Sequence, residues 1–162
     1  MTTNANFFLS LQKGIQSALS KPCIEGPDFP FLSYSELEEL TAQAANLLKS
    51  LDIKAGARVL VQTPKSPLGV AFYLACLRSG AIYVPLNAAY TTEELDYFIE
   101  DTEPDIFVCD PARREALKGL FLKHKIPSIL EIDASGQGSL LDQLKEFPNQ
   151  HDVVQVDSDD TA

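Results

Sequence analysis

Residues 58–84 constrain the fold more than any other stretch of the chain. Arg58-Val-Leu-Val-Gln62 is a short β-branched run, apolar enough to read as a strand buried on both faces. Ser66 and Pro67 follow as an N-cap and a first-turn proline, and Gly80 stands where a helix would close, which brackets a helix over residues 67–79. Ile82-Tyr-Val84 is then a second strand. A strand, a crossover helix and a strand at this spacing form a βαβ unit whose strands are parallel neighbours.

The alternation continues on both sides. Phe7, Phe8, Leu11, Ile15 and Leu19 have helical spacing before Lys21-Pro22, and Asp28-Phe29-Pro30 reads as a connector. Ser35-x-x-Glu38 has the form of a capping box, ahead of Leu37, Leu40, Ala44, Leu47, Leu48 and Leu51 on one stripe. Thr91-x-x-Glu94 caps a helix to about residue 102, Ile106-Phe-Val-Cys109 is a strand, and Asp110-Pro111 opens a helix towards His124. Ser128-Ile-Leu-Glu-Ile132 is the next strand, 135–138 a turn, 140–147 a short helix and Val153-Val-Gln-Val156 a last strand. The expected class is α/β, a mostly parallel sheet with helices on both faces. The expected division is an N-terminal amphipathic helix and connector over 1–28, then an α/β subdomain over 29–162. A chain halting just after a central-looking strand is expected to be incomplete.

Charge excludes some partners. Against 23 Asp and Glu stand 13 Lys and Arg, a net −10, which argues against nucleic acid or an anionic membrane. Residues 91–105 hold seven acids and no base, which reads as a solvated helix face or as an acidic docking surface. Pro67, Gly69, Gly80, Pro85 and Asn87 interrupt the apolar stretch around the first βαβ unit, so no run approaches the ~20 residues of a membrane span. Cys23, Cys76 and Cys109 are widely spaced and odd in number, and the first residues lack a basic leader. Both features fit a cytoplasmic, reducing setting.

Few motifs in the sequence carry chemistry. Gly136-x-Gly138 lacks a third glycine at Leu141, and there is neither a phosphate-cradling Gly-x-x-x-x-Gly-Lys-Ser/Thr nor a Gly-x-Ser-x-Gly. His124 and His151 are not spaced as a metal pair, and Cys76 and Cys109 read as small buried hydrophobes. Arg78 reads as a favourable charge at a helix C-terminus or as an anion contact. Lys65 follows a strand in Thr63-Pro64-Lys65-Ser66-Pro67, where parallel sheets place ligands, although a solvated lysine on a rigid turn explains it too.

Phe31-Leu-Ser-Tyr-Ser-Glu-Leu37 resembles the first core motif of the adenylate-forming enzymes, the superfamily of acyl-CoA synthetases, and Leu77-Arg-Ser-Gly-Ala-Ile-Tyr-Val-Pro-Leu-Asn87 resembles the second. Gly56-Ala-Arg-Val-Leu-Val-Gln62 and Thr92-x-Glu-Leu-x-Tyr-Phe-Ile-x-Asp101 have the expected placement. Val61-Gln-Thr-Pro-Lys-Ser-Pro67, Asn87-Ala-Ala-Tyr-Thr91 and Val108-Cys-Asp-Pro111 are most similar to malonyl-CoA synthetases. The resemblance implies an ATP-dependent carboxylic acid:CoA ligase. In it a carboxylate attacks the α-phosphate of ATP and the thiol of CoA then displaces AMP, with Mg²⁺ offsetting phosphate charge.

By the same resemblance, the phosphate-gripping loop follows an acidic lead-in like Asp159-Asp-Thr-Ala162, where this sequence stops. No catalytic, nucleotide-binding or metal-binding residue of the family is therefore carried onto these positions. Residues 1–162 alone are expected to be inactive and to hold no ATP, Mg²⁺ or CoA by themselves. Lys65, Asn87 and Tyr90 are the candidate contacts to substrate or CoA in an intact enzyme, with a small carboxylic acid, malonate favoured, as the substrate. The alternatives are a free-standing α/β interaction module docking through the acidic helix, or one half of a split ligase. Apolar surface left by truncation predicts self-association.

Overall fold

The computed structural model describes residues 4–26 and 29–161. Its centre is a four-stranded parallel sheet of β3 (Arg58–Gln62), β4 (Ile82–Pro85), β5 (Ile106–Cys109) and β6 (Ser128–Glu131) in the order β4-β3-β5-β6. In register, Val59 lies beside Tyr83 and Ile106, and Leu60 beside Val84 and Phe107. A small antiparallel hairpin of β1 (Pro22–Gly26) and β2 (Phe29–Ser33) precedes it.

Two cores follow from strand alternation, because successive side chains leave a strand on opposite faces. Val59, Val61, Ile106, Val108 and Leu130 enter the larger core, shared with α1 (Phe7–Gln16), α2 (Tyr34–Ser50), α3 (Pro67–Ser79) and α6 (Ser139–Leu144). Leu60, Phe107 and Cys109 enter the smaller, beneath α4 (Thr92–Thr102) and α5 (Arg114–His124). Helices thus cover both faces. The sheet is buried for that reason, and each of its fully enclosed apolar side chains contributes about 1.5–3 kcal/mol.

Caps decide where the helices begin and end. Ser66 Oγ accepts from Gly69 N at 3.1 Å with Pro67 behind it, and Gly80, at φ 69°, closes α3. The Val156 side chain and Ala55 crowd Gly80 where a Cβ would stand, so its bare Cα serves packing as well as the left-handed turn. Thr91 and Glu94 form the reciprocal capping box of α4. Asp110 caps a 3₁₀ turn at Pro111–Arg113 that runs into α5.

Four expectations need correcting. The capping box of α2 is Ser33 with Glu36, two residues earlier than Ser35 with Glu38, which leaves Glu38 inside the helix and free for another partner. Phe29 and Pro30 belong to β2 rather than to a connector, while Asp28 lies outside the described residues. The division at 28/29 therefore falls between two paired strands. The opening helix ends at Gln16, and Leu19 is exposed rather than on its buried stripe. Residues 153–156 join no sheet: Val154 N donates to Arg78 O at 2.9 Å, Val156 N to Asn4 Oδ1 at 3.1 Å, and Val156 O accepts from Ala5 N at 3.1 Å. Val154 and Val156 thus donate to a helix end and to the N-terminal segment, so the segment lies as a strap across the end of α3.

Arg78 fastens the strap. Only 3% exposed, it places Nη1 3.0 Å from Glu38 Oε1 and donates through Nε at 3.0 Å, and through Nη2, to the carbonyl oxygen of His151. Its guanidinium also lies over the Phe8 ring, 5.0 Å from the centroid. Of the two readings of Arg78, an anion contact is displaced by this internal pairing. Asn6 Nδ2 adds bonds to Leu77 O at 2.8 Å and Val154 O at 2.9 Å.

Removing the guanidinium leaves the largely buried Glu38 carboxylate without its counter-charge, with Gln12 Nε2 at 2.9 Å from Oε1 as the remaining side-chain donor. Arg78→Met is expected to cost ~3–5 kcal/mol in urea unfolding, and Arg78→Met with Glu38→Gln to recover part of that loss. Burial first, and then the Arg78 charge, lower the pKa of His151 below its ordinary 6.5. A depressed histidine stabilises the fold above 6.5 and forfeits that contribution as pH falls. The melting temperature is therefore expected to drop between pH 7 and pH 5, and less steeply in His151→Asn. A parallel slope in the variant would assign the loss to other groups.

Candidate functional site

β3 turns into α3 on one face of the sheet, whereas the neighbouring β4 turns into α4 on the other. Loops that part in this way open a crevice at the carboxyl ends of parallel strands. A cleft of about 600 Å³ lies there. One wall comprises Thr63, Pro64, Lys65 and Ser66 after β3 together with Gly69, Val70 and Tyr73 of α3. Tyr83, Pro85, Leu86, Asn87 and Ala88 form the other, with Val61 as part of the floor.

The two tyrosines meet edge to face with ring centroids 5.1 Å apart, which holds both against the apolar wall. Burial, then the neighbouring Cys76 and Tyr73, push the Tyr83 phenol up to about 12, so it remains a neutral donor at physiological pH. Lys65 is exposed at the mouth and, among the described residues, is the only cationic side chain lining the cleft. Pro64 and Pro67 stiffen the loop on either side of it, each fixing its own φ and restricting the residue before it. Asn87 folds its Oδ1 back to accept from Ala89 N at 2.9 Å in an Asx turn.

The structure thus brings Lys65 and Asn87 to one cleft and turns Tyr90 away from it. The Tyr90 ring stacks on Phe98 at 5.0 Å, against the smaller core, while its carbonyl accepts from Gln62 and Arg113. Gln62, which in sequence reads only as the end of a strand, is a further component. A polar residue closing an apolar strand run was the available signal.

Other reactive groups are turned to structure. Cys76 is raised strongly by burial and Cys109 is raised to about 11, again chiefly by burial, so neither supplies a thiolate. His124 Nε2 lies 2.5 Å from Asp96 Oδ1, and Lys123 Nζ lies 2.6 Å from Asp96 Oδ2, a clamp between α4 and α5. Asp105 accepts from Arg58 N at 2.9 Å. Part of the acidic run 91–105 is therefore spent on internal bonds rather than on an open face. Among the described residues no group of three or more His, Cys, Asp and Glu is arranged to hold a metal ion.

Comparison with known proteins matches this architecture to one family. The sequence profile of the AMP-binding enzymes covers residues 13–162. The crystal structure of ATP-bound MatB from Rhodopseudomonas palustris superposes with a TM-score of 0.83 at 34% identity, covering 98% of this chain and 31% of that one. The probable CoA ligase CCL9 of Humulus lupulus is 30% identical over 118 residues, 73% of this chain and 22% of the hop protein. The vanchrobactin synthetase VabF of Vibrio anguillarum is 39% identical over 100 residues, 59% of this chain and 4% of its own length. The chain therefore spans about a third or less of the proteins it matches. With the family profile running from the first helix to the last residue, the chain belongs to the AMP-binding enzyme family.

Proposed function

We propose that these residues are the N-terminal portion of an AMP-forming carboxylic acid:CoA ligase acting on malonate, and that the cleft between the loops after β3 and β4 receives CoA. The observation that carries the ligase reading is the likeness to ATP-bound MatB, sustained over nearly the whole chain. Malonate rests on the resemblance of residues 61–67, 87–91 and 108–111 to malonyl-CoA synthetases. The three free cysteines support a cytoplasmic setting.

The residues present do not fit ATP or Mg²⁺. The loop after β3 has no glycine-rich cradle of N–H groups, and among the described residues one lysine is the only cationic side chain lining the cleft and no acidic cluster is arranged for a metal. We assign nucleotide and metal to the remainder of such a ligase. ATP, when bound there, would supply the leaving group that makes the carboxylate open to a thiol.

The chemistry of the cleft discriminates between the other two substrates. Malonate brings two carboxylates, and burying both against Val61, Val70, Tyr73, Tyr83, Pro85 and Leu86 beside one ammonium would leave charge uncompensated. CoA brings a long, mostly neutral arm that such walls accommodate, and phosphates that Lys65 at the mouth can meet. On this reading the chain contributes a rigid wall that orients the thiol donor, with Lys65 as its anionic anchor.

The intact protein is expected to catalyse malonate-dependent ATP–pyrophosphate exchange, and purified residues 1–162 to show none. Exchange by the short chain would overturn the division of labour drawn above. In the intact enzyme, Lys65→Ala should raise KM for CoA about tenfold, the loss of roughly one charge-assisted hydrogen bond, and leave KM for malonate unchanged. A rise confined to malonate would place the acid, not CoA, in the cleft.

A further inference from the structure

The loop that carries Asn87 is held by side chains rather than by a neighbouring strand. After Leu86 N bonds to Val61 O at 2.8 Å, the ladder of β3 and β4 ends. Beyond it, Gln62 Nε2 donates to Asn87 O at 2.9 Å and to Tyr90 O at 3.3 Å. From the 3₁₀ turn after β5, Arg113 donates through Nη1 to Ala88 O and through Nη2 to Tyr90 O, both at 3.1 Å. Three carbonyls within four residues are thus captured by two side chains from other elements. Those carbonyls belong to the segment whose Asn87 and Ala88 line the cleft.

Gln62 is 1% exposed, and its Oε1 is buried without a hydrogen-bond partner. An apolar side chain at this strand position would pack between the same neighbours with no orphaned oxygen. What the glutamine does, and an apolar residue cannot, is reach the turn from below with a donor on each side of the Asn87–Tyr90 span. The uncompensated oxygen is the cost of that reach.

We infer that Gln62 is a positioning residue: with Arg113 it fixes the rim loop 86–90, and through that loop it sets the affinity of the cleft. The inference rests on CoA as the occupant. Gln62 touches no ligand and acts only through the backbone it holds, so its loss loosens binding without altering the chemical step.

The test is amide hydrogen exchange together with steady-state kinetics on the purified intact protein, wild type against Gln62→Met. Methionine keeps the length and apolar stem and removes the donor. The expected result is faster exchange at residues 88–90, by about tenfold, with KM for CoA raised about fivefold. The kcat should stay within about twofold and KM for malonate should not move. Unchanged exchange in the loop overturns the inference, and so does a loosened loop with an unaltered KM for CoA. Should Gln62→Met lose its cooperative melt, Arg113→Gln releases Ala88 and Tyr90 from the partly exposed side, and the same criteria decide. A wild type inactive with malonate and CoA would refute the ligase reading instead, and the exchange rates alone would then uphold or overturn the clamp.

Discussion

The guanidinium of Arg78 is the point on which three separate parts of the chain depend. It lies in the last turn of α3, pairs with Glu38 of α2, covers Phe8 of α1 and donates to the carbonyl of His151 in the strap. A buried ion pair is a poor source of net stability, because desolvation consumes most of the Coulombic gain. Its value lies in direction. Apolar packing is non-directional, whereas the Arg78–Glu38 pair and the bonds to His151 O carry fixed hydrogen-bond vectors that tie α2 and the strap to one end of α3. That arrangement sets the axis of α3, and the first turn of α3 forms a wall of the cleft at the other end of the helix.

Local rules made most of the sheet and its helices legible, because caps and strand runs are decided within a few residues. Ser66-Pro67, Gly80 and Thr91-x-x-Glu94 mark ends that hold in three dimensions, as their hydrogen bonds close within four positions. The start of α2 shows the limit. Ser33-x-x-Glu36 and Ser35-x-x-Glu38 are equally good boxes in sequence, and a tertiary demand separates them: Glu38 is required by Arg78, forty residues away. The strap was misread for a similar reason. Val153-Val-Gln-Val156 has the composition of a strand, but its donors find a helix carbonyl and the N-terminal segment, partners about 75 and 150 residues distant. The β1–β2 hairpin escaped because Gly26, Pro27 and Phe29-Pro30 look like punctuation, and strand pairing across them is not a local property.

The site was legible only as far as topology carries. Lys65 and Asn87 follow adjacent strands, so the rule that ligands gather at carboxyl ends brought both to one cleft. Tyr90 obeys the same rule in sequence and fails in space. The Asx turn at Asn87 and the pull of Phe98 rotate the chain within three residues, so the ring joins the core and only the carbonyl faces its neighbours. Such a reversal depends on side-chain contacts with an element yet to come in sequence, and no periodicity encodes it. Gln62 was hidden differently. At the end of a buried strand run a single amide reads only as the strand's last residue, whereas its 1% exposure shows that it is a core residue with polar duties.

These two levels, the ion pair beneath α3 and the amide beneath the rim, impose one physical requirement. A cleft with apolar walls gains little from any single contact, so its selectivity depends on shape that is set before a ligand arrives. Pro64 and Pro67 stiffen one lip through the backbone, Gln62 and Arg113 hold the other through its carbonyls, and Tyr73 against Tyr83 fixes the wall between them. Each device acts on a different element, and each removes a different freedom. The acidic helix α4 adds the last constraint: Asp96 is pinned by Lys123 and His124, so the helix that follows the rim is itself tied to α5 and gives the loop a fixed far end. The rim is then held at both ends and by two side chains from separate elements, so a ligand entering the cleft meets a preset outline rather than having to order one.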